Sequence, residues 1–151
     1  MKSAFFVFAI TLIGFGFFIR LAPSDPGFWH VDPLTAKKGR KKNVFIQLPG
    51  EGKYPSPEFD FGAELLAHKF SELVLKNPDV SVLAGTPNDL FMTFIARTKL
   101  MRYPDYISIR FIDLGGDRST LAVFSRSRFG HSDRGVNRRR FLAWQDQLIV
   151  E

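Results

Sequence analysis

The chain has 151 residues, enough for one domain with a short appendage. Apolar residues make up 45% and charged residues 24%, which excludes wholesale disorder; the absence of cysteine excludes disulfides, Cys-ligated zinc, iron–sulfur clusters and thiol catalysis. A formal net charge of +6, from 21 Lys plus Arg against 15 Asp plus Glu, suits anionic partners such as phospholipid, nucleic acid or polyanions.

In chain order, Lys2 precedes an uncharged run from Ser3 to Ile19, closed by Arg20. As a helix this run is roughly 26 Å long, at the short end for a membrane span. Only Ser3 and Thr11 break its apolar character, so a buried soluble helix is the poorer reading. The bulky run Phe17-Phe18-Ile19-Arg20 stands where a signal peptidase wants small residues. We therefore expect residues 1–20 to be an uncleaved transmembrane anchor, touching the membrane through residues 3–19. A short, basic N-terminus predicts N-in, C-out topology, a single-pass protein with its domain on the outer side of the membrane.

Residues 21–58 hold Pro23, Pro26, Pro33, Pro49, Pro55 and Pro57 and read as a proline-rich basic linker. Its expected features are docking of Phe28-Trp29 on the domain and a short strand at Asn43 to Leu48. The cluster Lys37-Lys38-Gly39-Arg40-Lys41-Lys42 is a solvated loop or a contact for anionic headgroups. The α+β domain is expected over residues 59–151. Phe61 to Lys76 reads as a helix, with Phe61, Leu65, Leu66, Phe70, Leu73 and Val74 recurring at three- and four-residue spacing, Asp60 as N-cap and Asn77-Pro78 as stop. Four strands follow, at Val80 to Ala84, Leu90 to Thr98, Tyr106 to Asp113 and Arg118 to Arg126. Leu114-Gly115-Gly116-Asp117 turns the last hairpin. Val136 to Val150 reads as a second helix, with Phe141, Trp144 and Leu148 on one stripe and Ser132-Asp133 capping it. The expected fold is thus an N-terminal transmembrane helix followed by a two-layer sandwich of a mostly antiparallel four-stranded sheet with two helices.

No phosphate-binding loop, nucleotide fingerprint, metalloprotease helix or nucleophile elbow occurs. His30, His68 and His131 share no ligand spacing, so neither a metal site nor a cofactor is expected. Arginine carries the remaining signal. From Arg97 to Arg140 there are eleven basic residues and four acidic ones. Arg126 and Arg128 leave the same face of a strand shortly before a capped helix start, an arrangement that suits a phosphate or carboxylate. The same arginines equally suit internal salt bridges with Asp105 or Asp133. The candidate ligand-binding set is Arg97, Asp105, Arg126, Arg128, Ser132, Asp133, Asn137 and Arg138.

Two stretches resemble a known family: Arg97-Thr98-Lys99 with Tyr103-Pro104-Asp105-Tyr106, and the longer run from Ser125-Arg126-Ser127-Arg128 through Gly130, Ser132-Asp133 and Gly135-Val136-Asn137-Arg138. They look like the bacterial domain-of-unknown-function family 1499. A weaker phrase, Leu21-Ala22-Pro23-Ser24-Asp25-Pro26 with Trp29-His30, is similar to its membrane-anchored members. The resemblance covers roughly residues 21 to 150. With the topology above, it implies an envelope location, in a bacterial inner membrane with the domain in the periplasm, and it supplies no mechanism and no catalytic residues. The reading it leaves is a non-enzymatic module that binds an anionic or amphipathic ligand, an anionic lipid among them, or a partner. A hydrolase using Asp105 or Asp133 with His131 on an anionic substrate is the alternative. Nucleic acid is demoted by the expected anchor, despite a sequence pI of about 9.8.

Overall fold

The structure is a computed structural model that describes residues 2–37 and 42–150; residues 38–41 of the basic run lie outside the described residues. Strands β1 (Val44–Gln47), β2 (Val80–Ala84), β3 (Phe91–Arg97), β4 (Pro104–Gly115) and β5 (Arg118–Ser127) form one antiparallel sheet. Its order is β1-β5-β4-β3-β2. The expected four-stranded sheet is therefore corrected to five strands. The added strand, β1, sets Val44 opposite Arg126 and Gln47 opposite Val123 on β5. It is the short strand expected at Asn43 to Leu48; what four residues in a proline-rich stretch do not reveal is their place in the sheet. Their pairing is decided by the free edge of β5, about eighty positions away.

Alternation along β4 puts Ile107, Ile109 and Phe111 on one face and Tyr106, Ser108 and Arg110 on the other. The first face packs under helices α3 (Ala63–Leu75) and α4 (Val136–Val150), whose Leu66, Phe70, Val74, Phe141, Trp144 and Leu148 complete the core. Phe70 is the hub, with ring centroids about 6 Å from those of Phe94, Phe111, Phe141 and Trp144. Helix α3 begins after Gly62 instead of Asp60 and has no side-chain cap.

The opposite face is not open. Residues 22–37 cross it as a strap. The strap includes the one-turn helix α2 (Pro26–Trp29), started by Asp25, whose carboxylate accepts from the Gly27 amide at 2.9 Å. Trp29 stacks on Tyr106 at 3.8 Å and His30 on Phe91 at 3.8 Å, whereas Phe28 stays 66% exposed. The sheet residues beneath, Thr93, Tyr106 and Ser108, are fully buried.

Helix α1 (Lys2–Leu21) precedes the strap. Among the described residues, no helix is long and apolar enough to cross a membrane. The transmembrane anchor expected over residues 1–20 is corrected on that finding. The C-terminal turn of α1 is already committed to protein. Ile19 is fully buried and Arg20 Nη2 donates to the Leu100 carbonyl at 3.4 Å. The remaining apolar length falls short of the roughly 30 Å hydrocarbon core.

Candidate functional site

Strand alternation and the strap together build the arginine-bearing face. Arg110, Arg126 and Arg128 leave the strap side of β4 and β5, away from α3 and α4. The strap supplies an oxygen to each. Arg110 pairs with the Asp32 carboxylate. Arg126 Nη2 donates to the Trp29 carbonyl at 2.9 Å, and Arg128 Nη1 to the Pro23 carbonyl at 2.7 Å. The Arg126 guanidinium lies 5.1 Å from the Trp29 ring centroid and 4.3 Å from that of Phe124.

Arg126 stands apart electrostatically. It is only 9% exposed, and among the described residues no carboxylate pairs with it. Its Nη1 is buried with no hydrogen-bond partner. Burial pushes its pKa down to about 10, against a smaller opposing pull from Tyr106, so it stays cationic near neutrality. A buried charge with an orphaned donor is costly unless a counter-group arrives. Arg110 also has an unpartnered buried atom, Nε.

The strap is itself tuned. His30 Nδ1 is 2.8 Å from Thr93 Oγ1, which lies 2.9 Å from Ser108 Oγ. Desolvation and then the nearby Arg110 charge lower the His30 pKa below 6.5, against weaker pulls from Asp89 and Asp32. Burial pushes the Asp32 carboxyl up, but the Arg110 and Leu34 hydrogen bonds with the Arg110 and His30 charges hold it below the usual range.

The other expected site residues lie elsewhere. Asp105 is 3% exposed and receives Arg140 Nη2 at 2.7 Å on the helix side. Asp133 caps α4, accepting from the Gly135 amide at 3.0 Å and the Asn137 amide at 2.8 Å. Ser132 Oγ accepts from the Arg134 amide at 3.3 Å. Asn137 is buried; it accepts from Ser125 Oγ at 2.9 Å and donates to Ser127 Oγ at 3.0 Å. Arg138 Nη1 donates to the Tyr54 hydroxyl at 3.1 Å. Arg97 Nη1 donates to the Arg102 carbonyl at 3.2 Å. Of the expected set, then, the structure places Arg126 and Arg128 together under the strap. It turns Asp105, Asp133 and Asn137 to the helix side, where neither carboxylate reaches Arg126 or Arg128.

Two clefts flank α4. One, of about 570 Å³, gathers Lys42, Lys53, Arg134 and Arg138 with Glu51 and Asp133. The other, of about 400 Å³, is mostly apolar, with Phe15, Tyr103, Phe129 and Val136 facing Asp105, Ser132 and Asp133. His131 forms no side-chain hydrogen bond to either carboxylate among the described residues. Among the described residues no group of three His, Asp or Glu is placed to hold a metal ion. Trp29 docks as expected, but Trp29, His30 and Asp32 stand outside the candidate ligand-binding set. Their signal was an aromatic pair inside a proline-rich stretch, followed by a sheet whose second face is polar and carries arginines.

The description "Protein of unknown function (DUF1499)" matches residues 60–148, well over half of the chain. No curated protein and no solved structure matched it. The matched span covers the sheet from β2 to β5 together with both packed helices, and with it the Arg126 and Asp133 turn. The chain belongs to the DUF1499 family.

Proposed function

We propose that the protein is a non-enzymatic binding module whose arginine-bearing sheet face takes an anionic group. The observation that carries this reading is Arg126, a buried guanidinium with an orphaned Nη1 and, among the described residues, no carboxylate partner. Its neighbours Arg110 and Arg128 give the face three cations, and among the described residues Asp32 is the one carboxylate paired with them. The strap oxygens occupy the positions that ligand oxygens would take, so ligand binding competes with strap contacts. Exposed Phe6, Phe8, Phe15, Phe17 and Phe18 on α1 and the net positive charge support a place at the bacterial envelope, with α1 against lipid.

The hydrolase alternative has less support. A general base needs a free lone pair in reach of substrate. Asp105 is held by Arg140, Asp133 by two helix amides, and His131 is exposed. The test is anion-dependent stability. Inorganic phosphate or sulfate should raise the wild-type melting temperature, and Asp32→Ala, which frees Arg110, should enlarge the gain. Wild type indifferent to both anions would contradict the reading.

A further inference from the structure

A second site lies where α1 meets the loop between β3 and β4, and it stands independently of the arginine-bearing face. We infer that it binds a single-chain amphiphile with an anionic headgroup, such as an alkyl phosphate or a fatty acid, taken up as a monomer.

Two adjoining depressions carry the inference. The first is the apolar cleft of about 400 Å³ lined by Phe15, Tyr103, Phe129 and Val136. Its volume falls within the range of small-molecule sites. The Tyr103 and Phe129 rings meet at 5.7 Å, which fixes one wall. The second is an open depression of about 410 Å³ lined by Arg20, Arg97 and Arg102. The chain itself joins them. Arg97 and Thr98 are consecutive, as are Arg102 and Tyr103, and each pair puts one member in each depression. Phe15 and Arg20 bridge them again along α1, five residues or roughly 7.5 Å apart. The loop is held shut by the Thr98 amide donating to the Tyr103 carbonyl and the Tyr103 amide donating to Thr98 Oγ1, at 3.0 and 2.9 Å.

Charge sets the ligand's direction. Arg102 pairs with Asp79, whereas among the described residues Arg20 and Arg97 donate only to backbone carbonyls, of Leu100 and Arg102. The three guanidiniums thus carry more positive charge than their single carboxylate offsets. In the apolar cleft the two carboxylates are already engaged, Asp105 by Arg140 and Asp133 by helix amides. An anionic head is drawn to the arginines and its tail to the aromatic cleft.

The test titrates full-length protein calorimetrically with dodecyl phosphate and dodecyl maltoside below their micelle concentrations, and with inorganic phosphate. Dodecyl phosphate should bind about tenfold more tightly than either half-ligand. Arg97→Gln should abolish that advantage while leaving dodecyl maltoside unchanged, and Arg97→Lys should retain most of it. Phe129→Ala should weaken both dodecyl compounds. If Arg97→Gln loses its cooperative melt, Arg20→Gln, at an exposed position, replaces it. Equal affinity for the two dodecyl compounds, or an advantage that survives both arginine changes, would overturn the proposal. So would binding to phosphatidylglycerol-containing vesicles with none to the monomer, since that outcome assigns the surface to a membrane.

Discussion

Arg126 and Asn137 illustrate two opposite uses of a buried polar side chain. Asn137 is satisfied on every side, by Ser125, Ser127, the Asn43 carbonyl and its own amide on Asp133. Asn137→Ala strands those partners and should cost about 1–3 kcal/mol in denaturant unfolding, with no change in anion response. Arg126 is left short, with its Nη1 unpartnered and no carboxylate paired with it among the described residues. His30 offers a third test, through pH. Its pKa is lowered below 6.5 in the folded state, so the unfolded chain takes up its proton first as the pH drops. The stability from neutral His30 is complete above about 6.5 and is lost as pH falls through the lower folded value. Asp32 acts in the same direction at lower pH, because its depressed pKa makes its contribution vanish on protonation. Thermal melts across this range should show wild type losing stability on acidification. His30→Gln should flatten the His30 part of the slope, and an unchanged slope would remove His30 from the account.

Among the elements, the helices and the long strands announced themselves because their signals are local. The Phe141, Trp144, Leu148 stripe, the Ile107, Ile109, Phe111 alternation and the Gly115-Gly116 turn each sit within a few residues. The short strand at β1 and the docking of Trp29 were expected, but the partner of β1, the docked end of α1 and the path of the strap were not legible in that way. Each takes its conformation from a distant partner: Val44 from Arg126, Ile19 and Arg20 from the domain, Trp29 from Tyr106. The arginine arithmetic had the same limit. Spacing placed Arg126 and Arg128 on one face, but only the sheet shows that this face points away from the α4 cap. One glycine is demanding as well. Gly85 has φ +80°, and a Cβ there would sit 2.0 Å from the Phe91 carbonyl oxygen. Gly85→Ala should destabilise by roughly 2–4 kcal/mol, because backbone blocks the space. A wild-type-like melt would show that the β2–β3 connection can shift.

The whole molecule is a sheet clothed on both faces, apolar under the helices and cationic–aromatic under the strap. Its core belongs to residues 44–150, so a chain beginning at Leu21, which keeps the strap, should still unfold cooperatively. One beginning at Lys42 exposes Tyr106 and Thr93 and should melt lower. On the proposed function, Arg126 is held for a ligand at the expense of the fold. Replacing a buried, uncompensated charge with an apolar side chain of similar length is often neutral or stabilising. The deciding measurement is therefore the thermal melt of wild type and Arg126→Met, each with and without inorganic phosphate. The account predicts that Arg126→Met melts at or above wild type without phosphate and gains nothing from it. Wild type should rise by roughly 5–10 °C at about a hundredfold excess over its dissociation constant. An Arg126→Met protein that melts far below a wild type indifferent to phosphate would contradict it.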